Sequence, residues 1–185
     1  TLVKGIRMLP PGHFMDIDLQ GQPGSPRSYW ELKPKPGIGE DSLRDALQDA
    51  VRLRLRSDVP LAVFLSSGLD SSLIASLASL GETDVLKTIT IGFDGLPEFD
   101  ESPAAGRISS HLGTDNLKVS IDNDFLVESF GQFLGVMDQP TVDGFNSYVI
   151  CRRAREAGFK VVLSGLGGDE LFAGYATFRD VPKLM

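Results

Sequence analysis

Short apolar runs alternate with segments of helical periodicity from residue 59 to residue 178. Four runs have the length and the β-branched content of buried strands: VPLAVFLS, LKTITIGF, NLKVSI and FKVVLSG. In the segments between and after them, apolar residues recur three or four positions apart, as they do on one face of a helix. Parallel strands need crossover connections, which are usually helices, so this alternation is typical of a parallel sheet. We therefore predict an α/β fold in which helices cover both faces of a parallel sheet.

The predicted helices begin and end at recognisable signals. Asp41 or Ser42 can cap the first helix, and Gly81 and Gly113 can end the second and the third. After the last strand, the stretch DELFAGYATF predicts one further helix. Ligands of such sheets collect at the carboxyl ends of the strands, so the residues there are the first candidates for a functional site.

Residues 1 to 37 differ from the rest of the chain. Apolar residues alternate around Phe14, and proline and glycine punctuate the segment as far as KPKPG. This pattern is typical of a hairpin followed by an irregular linker. We therefore expect a short N-terminal hairpin and linker over 1–37 and a separate domain over 38–185.

Composition excludes several classes of function. Eighteen Lys and Arg against 25 Asp and Glu give a formal net charge of −7, which argues against a nucleic-acid-binding surface. The uninterrupted apolar runs are too short to span a membrane, so no membrane association is expected. Cys151 is the only cysteine, and a chain without an internal disulfide fits the cytoplasm. The Cys151 thiol is either catalytic or simply small and buried, and the lack of a histidine nearby in the sequence favours burial.

The stretch VFLSSGLDSS, residues 63 to 72, passes from a buried strand into the first turn of a helix. A helix start presents backbone N–H groups without partners, and its dipole favours an anion. Ser66, Ser71 and Ser72 add hydroxyl donors, whereas Asp70 would repel a phosphate unless a cation such as Mg²⁺ lay between them. The alternative is that Ser and Asp only cap the helix, but a cap needs one such residue and this stretch offers five.

A second stretch, VVLSGLGGDELFAGY, repeats the arrangement over residues 161 to 175. A buried strand again ends in small residues, and Asp169 and Glu170 then start a helix. Taken alone, the glycines could make a tight turn and the acids could favour the helix N-terminus. With both stretches in one sheet, the functional interpretation is favoured, and Asp70 and Asp169 could hold Mg²⁺ together.

The first stretch resembles the S-G-G-x-D-S PP-loop of ATP pyrophosphatases, with Ser67 in place of the first glycine. Together, the two stretches resemble the synthetase domain of glutamine-dependent asparagine synthetases, and the resemblance covers nearly the whole chain. GIRMLPPGH is similar to the tail of the family's N-terminal glutaminase domain, and RSYWEL to the link between domains. The resemblance implies a PP-loop fold, of the adenine nucleotide alpha hydrolase type, and a fragment that consists of a glutaminase tail with linker (1–37) and a partial ATP-binding domain (38–185).

The resemblance also implies a set of site residues. ATP would be bound by Leu65, Ser66, Gly68, Asp70, Ser71, Ser72, Ile91, Ser164 and Gly165. Mg²⁺ would be bound by Asp70 and Asp169. In the family, a substrate carboxylate attacks the α-phosphate of ATP, pyrophosphate leaves, and the acyl-adenylate reacts with ammonia from the glutaminase domain to give an amide and AMP. The expected partners are therefore a small-molecule carboxylate, aspartate or an analogue, and the glutaminase domain of the same full-length chain; homodimer formation stays open.

Leu166 is the main departure from the family pattern, because asparagine synthetases have a glutamate there that serves as a general base. Leucine cannot take up a proton, so the catalytic residue stays unassigned and adenylation is a safer expectation than asparagine as the product. The alternatives are another acyl-adenylating PP-loop enzyme, such as a β-lactam-forming synthetase, and a degenerate non-catalytic nucleotide-binding module. The family's nucleophilic cysteine and a later lysine are not in this sequence, so we expect the fragment alone to turn over poorly or not at all.

Overall fold

The computed structural model describes residues 3–33, 39–80, 84–98 and 100–181 and contains two sheets. In chain order the elements are β1 (His13–Phe14), β2 (Arg27–Ser28), α1 (Glu40–Arg54), β3 (Leu61–Phe64), α2 (Leu69–Ser79), β4 (Lys87–Phe93), α3 (Ser102–Leu112), β5 (Asp115–Ile121), α4 (Asn123–Val136), α5 (Gly144–Glu156), β6 (Val161–Leu163), α6 (Gly168–Phe172) and α7 (Ala176–Asp180). The four predicted apolar runs are β3 to β6, so the periodicity identified every strand of the main sheet among the described residues.

The main sheet has the strand order β5-β4-β3-β6, and all of its pairs are parallel. Strand β3 pairs with β4 on one side and with β6 on the other, with Leu61 opposite Val161. Strand β6 is therefore a direct neighbour of β3 although about a hundred residues separate them in the sequence. This topology brings the carboxyl ends of β3 and β6 to the same edge of the sheet.

Helices cover both faces of this sheet, as predicted. Val63 of β3 is fully buried in a cluster with helices α1, α2 and α3. Its neighbour Ala62 points to the opposite face, because successive strand residues alternate, and packs with Ala154 of α5. Phe125 of α4 joins the α5 side in a third cluster. Two buried layers of side chains therefore hold the sheet between α1–α3 and α4–α5.

Several helix boundaries differ from the predicted ones. Gly39, and not Asp41 or Ser42, is the N-cap of α1, so both predicted caps lie within the first turn. Gly113 does end α3, in the left-handed conformation, whereas Gly81 lies outside the described residues. The single helix predicted from DELFAGYATF is in fact two, α6 and α7, because Ala173 takes a positive φ of 57° and interrupts the helix.

The N-terminal segment forms the predicted hairpin. Strands β1 and β2 pair in antiparallel fashion, with His13 opposite Ser28, and an isolated bridge joins Ile17 to Pro23. The guanidinium of Arg27 lies 4.6 Å from the centre of the Phe14 ring. The expected boundary between residues 37 and 38 falls outside the described part of the chain. None of the helices in the described ranges has both the length and the apolarity that a membrane crossing demands.

The prediction that Cys151 is buried is wrong. Cys151 lies on α5 and is exposed. Two residues along a helix correspond to a rotation of about 200°, so Cys151 projects away from the side of Val149, which is 3% exposed. The thiol lines a groove between α5 and β6, beside Phe159 and Lys160.

Candidate active site

The two loops singled out in the sequence meet in the fold. They follow β3 and β6, which are adjacent and parallel, and both line a single cavity of about 830 Å³. The first loop contributes Ser66, Gly68, Asp70 and Ser71 to the wall, and the second contributes Ser164, Gly165 and Asp169. The expected convergence of two strand ends around Asp70 and Asp169 is therefore present.

The first loop is anchored to strand β4 at Leu65. The backbone N–H of Leu65 donates to the carbonyl of Ile89 (2.8 Å), and the buried hydroxyl of Thr90 donates to the carbonyl of Leu65 (2.9 Å). One residue further, the hydroxyls of Ser66 and Ser71 lie 2.7 Å apart, and the N–H of Ser66 donates to Ser71 Oγ. The loop is therefore fixed at its strand end and closed by a serine pair at its helix end.

Helix α2 begins without a side-chain cap. Gly68 is its N-cap residue and has an extended conformation, and no side chain there accepts a capping hydrogen bond from the first N–H groups of the helix. The alternative that Ser and Asp merely cap this helix is therefore wrong. The first N–H groups of a helix lack partners within it, so those of Leu69, Asp70 and Ser71 are available for an anion.

Ser67, which replaces a glycine of the PP-loop pattern, fits the loop without strain. Among the described residues, Ala173 is the only residue other than glycine with a positive φ. A side chain at residue 67 therefore costs no left-handed conformation. The replacement of this glycine by serine is therefore compatible with the backbone of the loop.

The serine hydroxyls expected to grip pyrophosphate are occupied within the loop. Ser72 Oγ donates to the carbonyl of Gly68 (2.7 Å), and Ser71 Oγ bonds Ser66 and Gly68. Binding a phosphate through these hydroxyls would require each to exchange its present acceptor. The backbone N–H groups at the start of α2 are the donors that need no such exchange.

Glycines allow the second loop to approach the first. A Cβ atom at Gly165 would lie 2.8 Å from the backbone nitrogen of Ser71, and one at Gly168 would lie 2.5 Å from Cγ of Asp70. Both distances are shorter than real Cβ contacts, so neither position can hold a side chain without movement. The glycines thus keep open the space beside the start of α2 and beside the Asp70 carboxylate.

The donor chemistry of this space fits Mg²⁺ and a polyphosphate. Asp70 and Asp169 offer carboxylate oxygens, which are hard ligands of the kind Mg²⁺ takes, typically one or two together with phosphate oxygens and water. In the described part of the chain, no group of three or more His, Cys, Asp or Glu is arranged to hold a metal. The described side chains that line the cavity include no Lys, Arg or His, so a bound polyanion would need a cation for charge balance.

Leu65 and Ile91, expected at the adenosine, both line the cavity, and Leu65 is 2% exposed. Ser164 also lines it, and its hydroxyl accepts a hydrogen bond from the N–H of Leu166 (3.2 Å). The side chain of Leu166 is 79% exposed on the cavity wall. Residue 166, at which the resemblance predicts a glutamate in asparagine synthetases, is therefore open to solvent and to a ligand.

Sequence reasoning missed several residues of the cavity wall. Glu101, Asn146, Ile150 and Phe172 all line it. Glu101 lies on the connection that follows the carboxyl end of β4, directly before α3, and that connection was a signal that could have found it. Asn146 and Ile150 lie on α5, whose approach to the cavity depends on packing that periodicity does not report.

Two titrating groups near the cavity are perturbed. Hydrogen bonds from Ser102, first through its side chain and then through its backbone, hold the pKa of Asp100 below its ordinary value, and Lys118 adds to this (Oδ2 to Nζ, 3.1 Å). The pKa of Tyr175 is raised, first because its hydroxyl donates to Glu170 (2.8 Å) and then because of burial.

The sequence has clear relatives. It is 32% identical to "Amidase chry2" of Gibberella zeae, over 97% of this chain and 30% of that protein. It is also 32% identical to "Asparagine synthetase [glutamine-hydrolyzing] 1" of Bacillus subtilis, over 97% of this chain and 29% of that protein. The chain thus spans about a third of the length of the curated relatives it matches.

Similarity extends to solved structures and to a protein family. The structure of NMN synthetase from Francisella tularensis aligns with 77% of this chain and 61% of that one, with a TM-score of 0.49 and 16% identity. Residues 42–184, which include both loops and every strand of the main sheet, match the family described as asparagine synthase. By this match over more than three quarters of its length, the chain belongs to the asparagine synthase family.

Proposed function

We propose that the protein carrying this chain is an ATP-dependent, amide-forming synthetase that activates a carboxylate as its adenylate. One observation carries the proposal: the loops after β3 and β6 share one cavity, with uncapped N–H groups of α2 and two aspartates on its wall. The family supports the same reaction class, since relatives are named asparagine synthetases that hydrolyse glutamine.

In the proposed reaction, a carboxylate oxygen of the acceptor attacks the α-phosphorus of ATP. A new P–O bond forms, the bond from the α-phosphorus to the bridging oxygen breaks, and pyrophosphate leaves. Ammonia then attacks the acyl carbon, AMP leaves with the C–O electron pair, and the nitrogen loses a proton to give the amide. A glutaminase domain of the full-length protein would supply the ammonia, and the acceptor would be aspartate or an analogue.

The chain's own residues would stabilise the departing pyrophosphate. The N–H groups of Leu69, Asp70 and Ser71 lie at the positive end of α2 and would donate to its oxygens. Asp70 and Asp169 would hold Mg²⁺, which when bound would neutralise the charge of the leaving group. Leu65 and Ile91 would contact the nucleoside from the apolar wall of the cavity.

A second candidate keeps the adenylation but changes the acceptor. Leu166 is exposed on the cavity wall where asparagine synthetases carry a glutamate. This supports an acyl-adenylating synthetase for a carboxylate other than aspartate, such as a β-lactam-forming enzyme. The absence of a base at residue 166 is also compatible with a module that binds a nucleotide without catalysis.

Carboxylate-dependent pyrophosphate release from Mg-ATP tests these proposals. The full-length protein is given aspartate and a panel of other carboxylates, and AMP, pyrophosphate and amide are measured. We expect release with at least one carboxylate, and Asp70→Asn and Asp169→Asn should each abolish it, whereas Asp84→Asn, at an exposed position outside the cavity, should not. ADP and phosphate as products, or full activity of both site variants, would contradict the proposal.

The acceptor profile separates the candidates. Release with aspartate and formation of its amide support the first candidate, and release with other carboxylates alone supports the second. Mg-ATP binding without release under any condition supports the non-catalytic module.

A further inference from the structure

Glu101 is a carboxylate on the cavity wall to which the proposed reaction gives no role. It precedes α3, on the connection that follows β4. Its Oε2 accepts two hydrogen bonds from the first loop, one from the backbone N–H of Ser67 (3.1 Å) and one from Ser67 Oγ (2.8 Å). A fixed negative charge therefore occupies donors that a phosphate oxygen would otherwise use.

The connection that carries Glu101 is anchored to helix α3 and to strand β5. Asp100 Oδ1 accepts the N–H of Ser102 (2.9 Å), and Asp100 Oδ2 pairs with Lys118 of β5. Lys118 reaches Asp100 across β4 at Gly92, where a Cβ atom would lie 2.6 Å from Lys118 Cε. Since the backbone on which Glu101 stands is anchored in this way, its carboxylate stays near the loop.

The negative charges of the cavity wall disfavour a ligand whose own negative charge is not compensated. The titratable side chains on the described wall are Asp70, Glu101 and Asp169, all of them acidic. A free triphosphate adds several negative charges, and like charges that lie close together in a site partly shielded from water repel one another more strongly than they do in bulk water. A triphosphate that arrives with a divalent cation carries less charge, and Asp70 and Asp169 then attract its cation.

We propose, on the basis of the proposed function, that Glu101 is a specificity-determining residue that makes the first loop select cation-bound triphosphates over free ones. It fills the Ser67 donors and repels a polyanion whose charge is not compensated. Asp70 and Asp169 can coordinate the cation directly. Glu101, by contrast, would repel the phosphate groups of the ligand through its negative charge beside the loop.

Glu101→Gln tests this role, because glutamine has the same size and can still accept hydrogen bonds from Ser67 but carries no charge. Dissociation constants for ATP with excess EDTA and for Mg-ATP are measured by calorimetry on the full-length protein. We expect the variant to bind free ATP about tenfold more tightly and Mg-ATP with less than about a threefold change, so the preference for Mg-ATP falls. Glu98→Gln removes an exposed charge from the same connection, outside the cavity, and should leave the preference unchanged.

The outcomes separate this inference from the proposed function. If the parent protein binds Mg-ATP and Glu101→Gln keeps the parent's preference, the inference is wrong and the proposed function stands. If Glu101→Gln weakens the binding of both ligands equally, or lowers the melting temperature of the ligand-free protein, Glu101 has only a structural role and the inference is again wrong. If the parent binds neither ligand, the proposed function fails and the inference fails with it.

Discussion

The carboxylate of Asp70 lies over the backbone of Gly168, in the space that a side chain at residue 168 would fill. A Cβ atom there would lie 2.5 Å from Asp70 Cγ. Gly168→Ala must therefore displace either the carboxylate or the turn that precedes Asp169. We expect the affinity for Mg-ATP to fall at least about tenfold, as measured by calorimetry, because both proposed Mg²⁺ ligands would lose their relative position.

Gly131 provides the matched control for this substitution. It lies within α4, and a Cβ atom there would meet nothing within 4 Å. Gly131→Ala should keep the affinity for Mg-ATP and raise the free energy of unfolding by about 0.5–1 kcal/mol, because alanine favours the helix. Equal nucleotide affinities for the two variants would contradict the assignment of Asp70 and Asp169.

Thr90 anchors the first loop from beneath, through its hydrogen bond to the Leu65 carbonyl. Its side chain is 1% exposed, and its hydroxyl also lies 3.0 Å from Asn116 Oδ1. Thr90→Val keeps the shape but leaves the carbonyl of Leu65 without this donor, so we expect the free energy of unfolding to fall by about 1–3 kcal/mol in urea titrations. Thr177→Val, at an exposed position, should change it by less than about 0.5 kcal/mol. A Thr90→Val midpoint equal to that of the parent would show that this hydrogen bond does not stabilise the fold.

The main sheet was predictable because its signals are local. Alternation of apolar runs and helical periodicity identified β3 to β6, and the carboxyl-end rule then placed the candidate site at Asp70 and Asp169. Strand order is not a local property, so the adjacency of β3 and β6 became known only from the fold. The loop motifs nevertheless pointed to it, since two similar strand ends in one sheet suggested a shared ligand.

Contacts between distant residues account for what the sequence did not reveal. The bond between Ser67 and Glu101 joins positions 34 apart, and neither residue type alone signals it. The break at Ala173 was missed because alanine favours a helix, whereas the N–H of Gly174 bonds the carbonyl of Asp169 and closes the turn there. The burial of Cys151 was predicted wrongly because helix periodicity tells which residues share a face but not which face is buried.

The lowered pKa of Asp100 makes part of the protein's stability depend on pH. Its ordinary value is 3.8, and hydrogen bonds from Ser102, together with Lys118, hold it lower in the folded state. A carboxyl with a depressed folded-state pKa contributes stability above its unfolded-state value, and this is lost as pH falls through the folded-state value. We therefore expect Asp100→Asn to lower stability at neutral pH and the difference from the parent to shrink below about pH 4, as measured by urea titrations.

Lys118→Met identifies the part of this effect that is due to the ion pair. If Asp100 and Lys118 interact as their 3.1 Å contact indicates, the double variant should lose less stability than the two single changes added together. The side chain of Asp100 is 17% exposed and that of Lys118 49%, so the coupling should weaken in high salt. If the free energies of unfolding of Asp100→Asn and the parent differ by the same amount down to the most acidic conditions, the lowered pKa of Asp100 is contradicted.

The exposed side chain of Leu166 allows a test of how far the proposed chemistry follows that of asparagine synthetases. Its side chain is 79% exposed, so Leu166→Glu and Leu166→Gln should both change the free energy of unfolding by less than about 0.5 kcal/mol. Only glutamate can act as a base toward ammonia, and a positioned base contributes about a hundredfold or more. We therefore expect Leu166→Glu to raise amide formation from ammonia by at least about tenfold in the full-length protein, with carboxylate-dependent pyrophosphate release unchanged. Leu166→Gln matches it in size without the base and should form amide at the parent's rate. Equal rates for the glutamate and glutamine variants would mean that residue 166 does not face the reacting nitrogen.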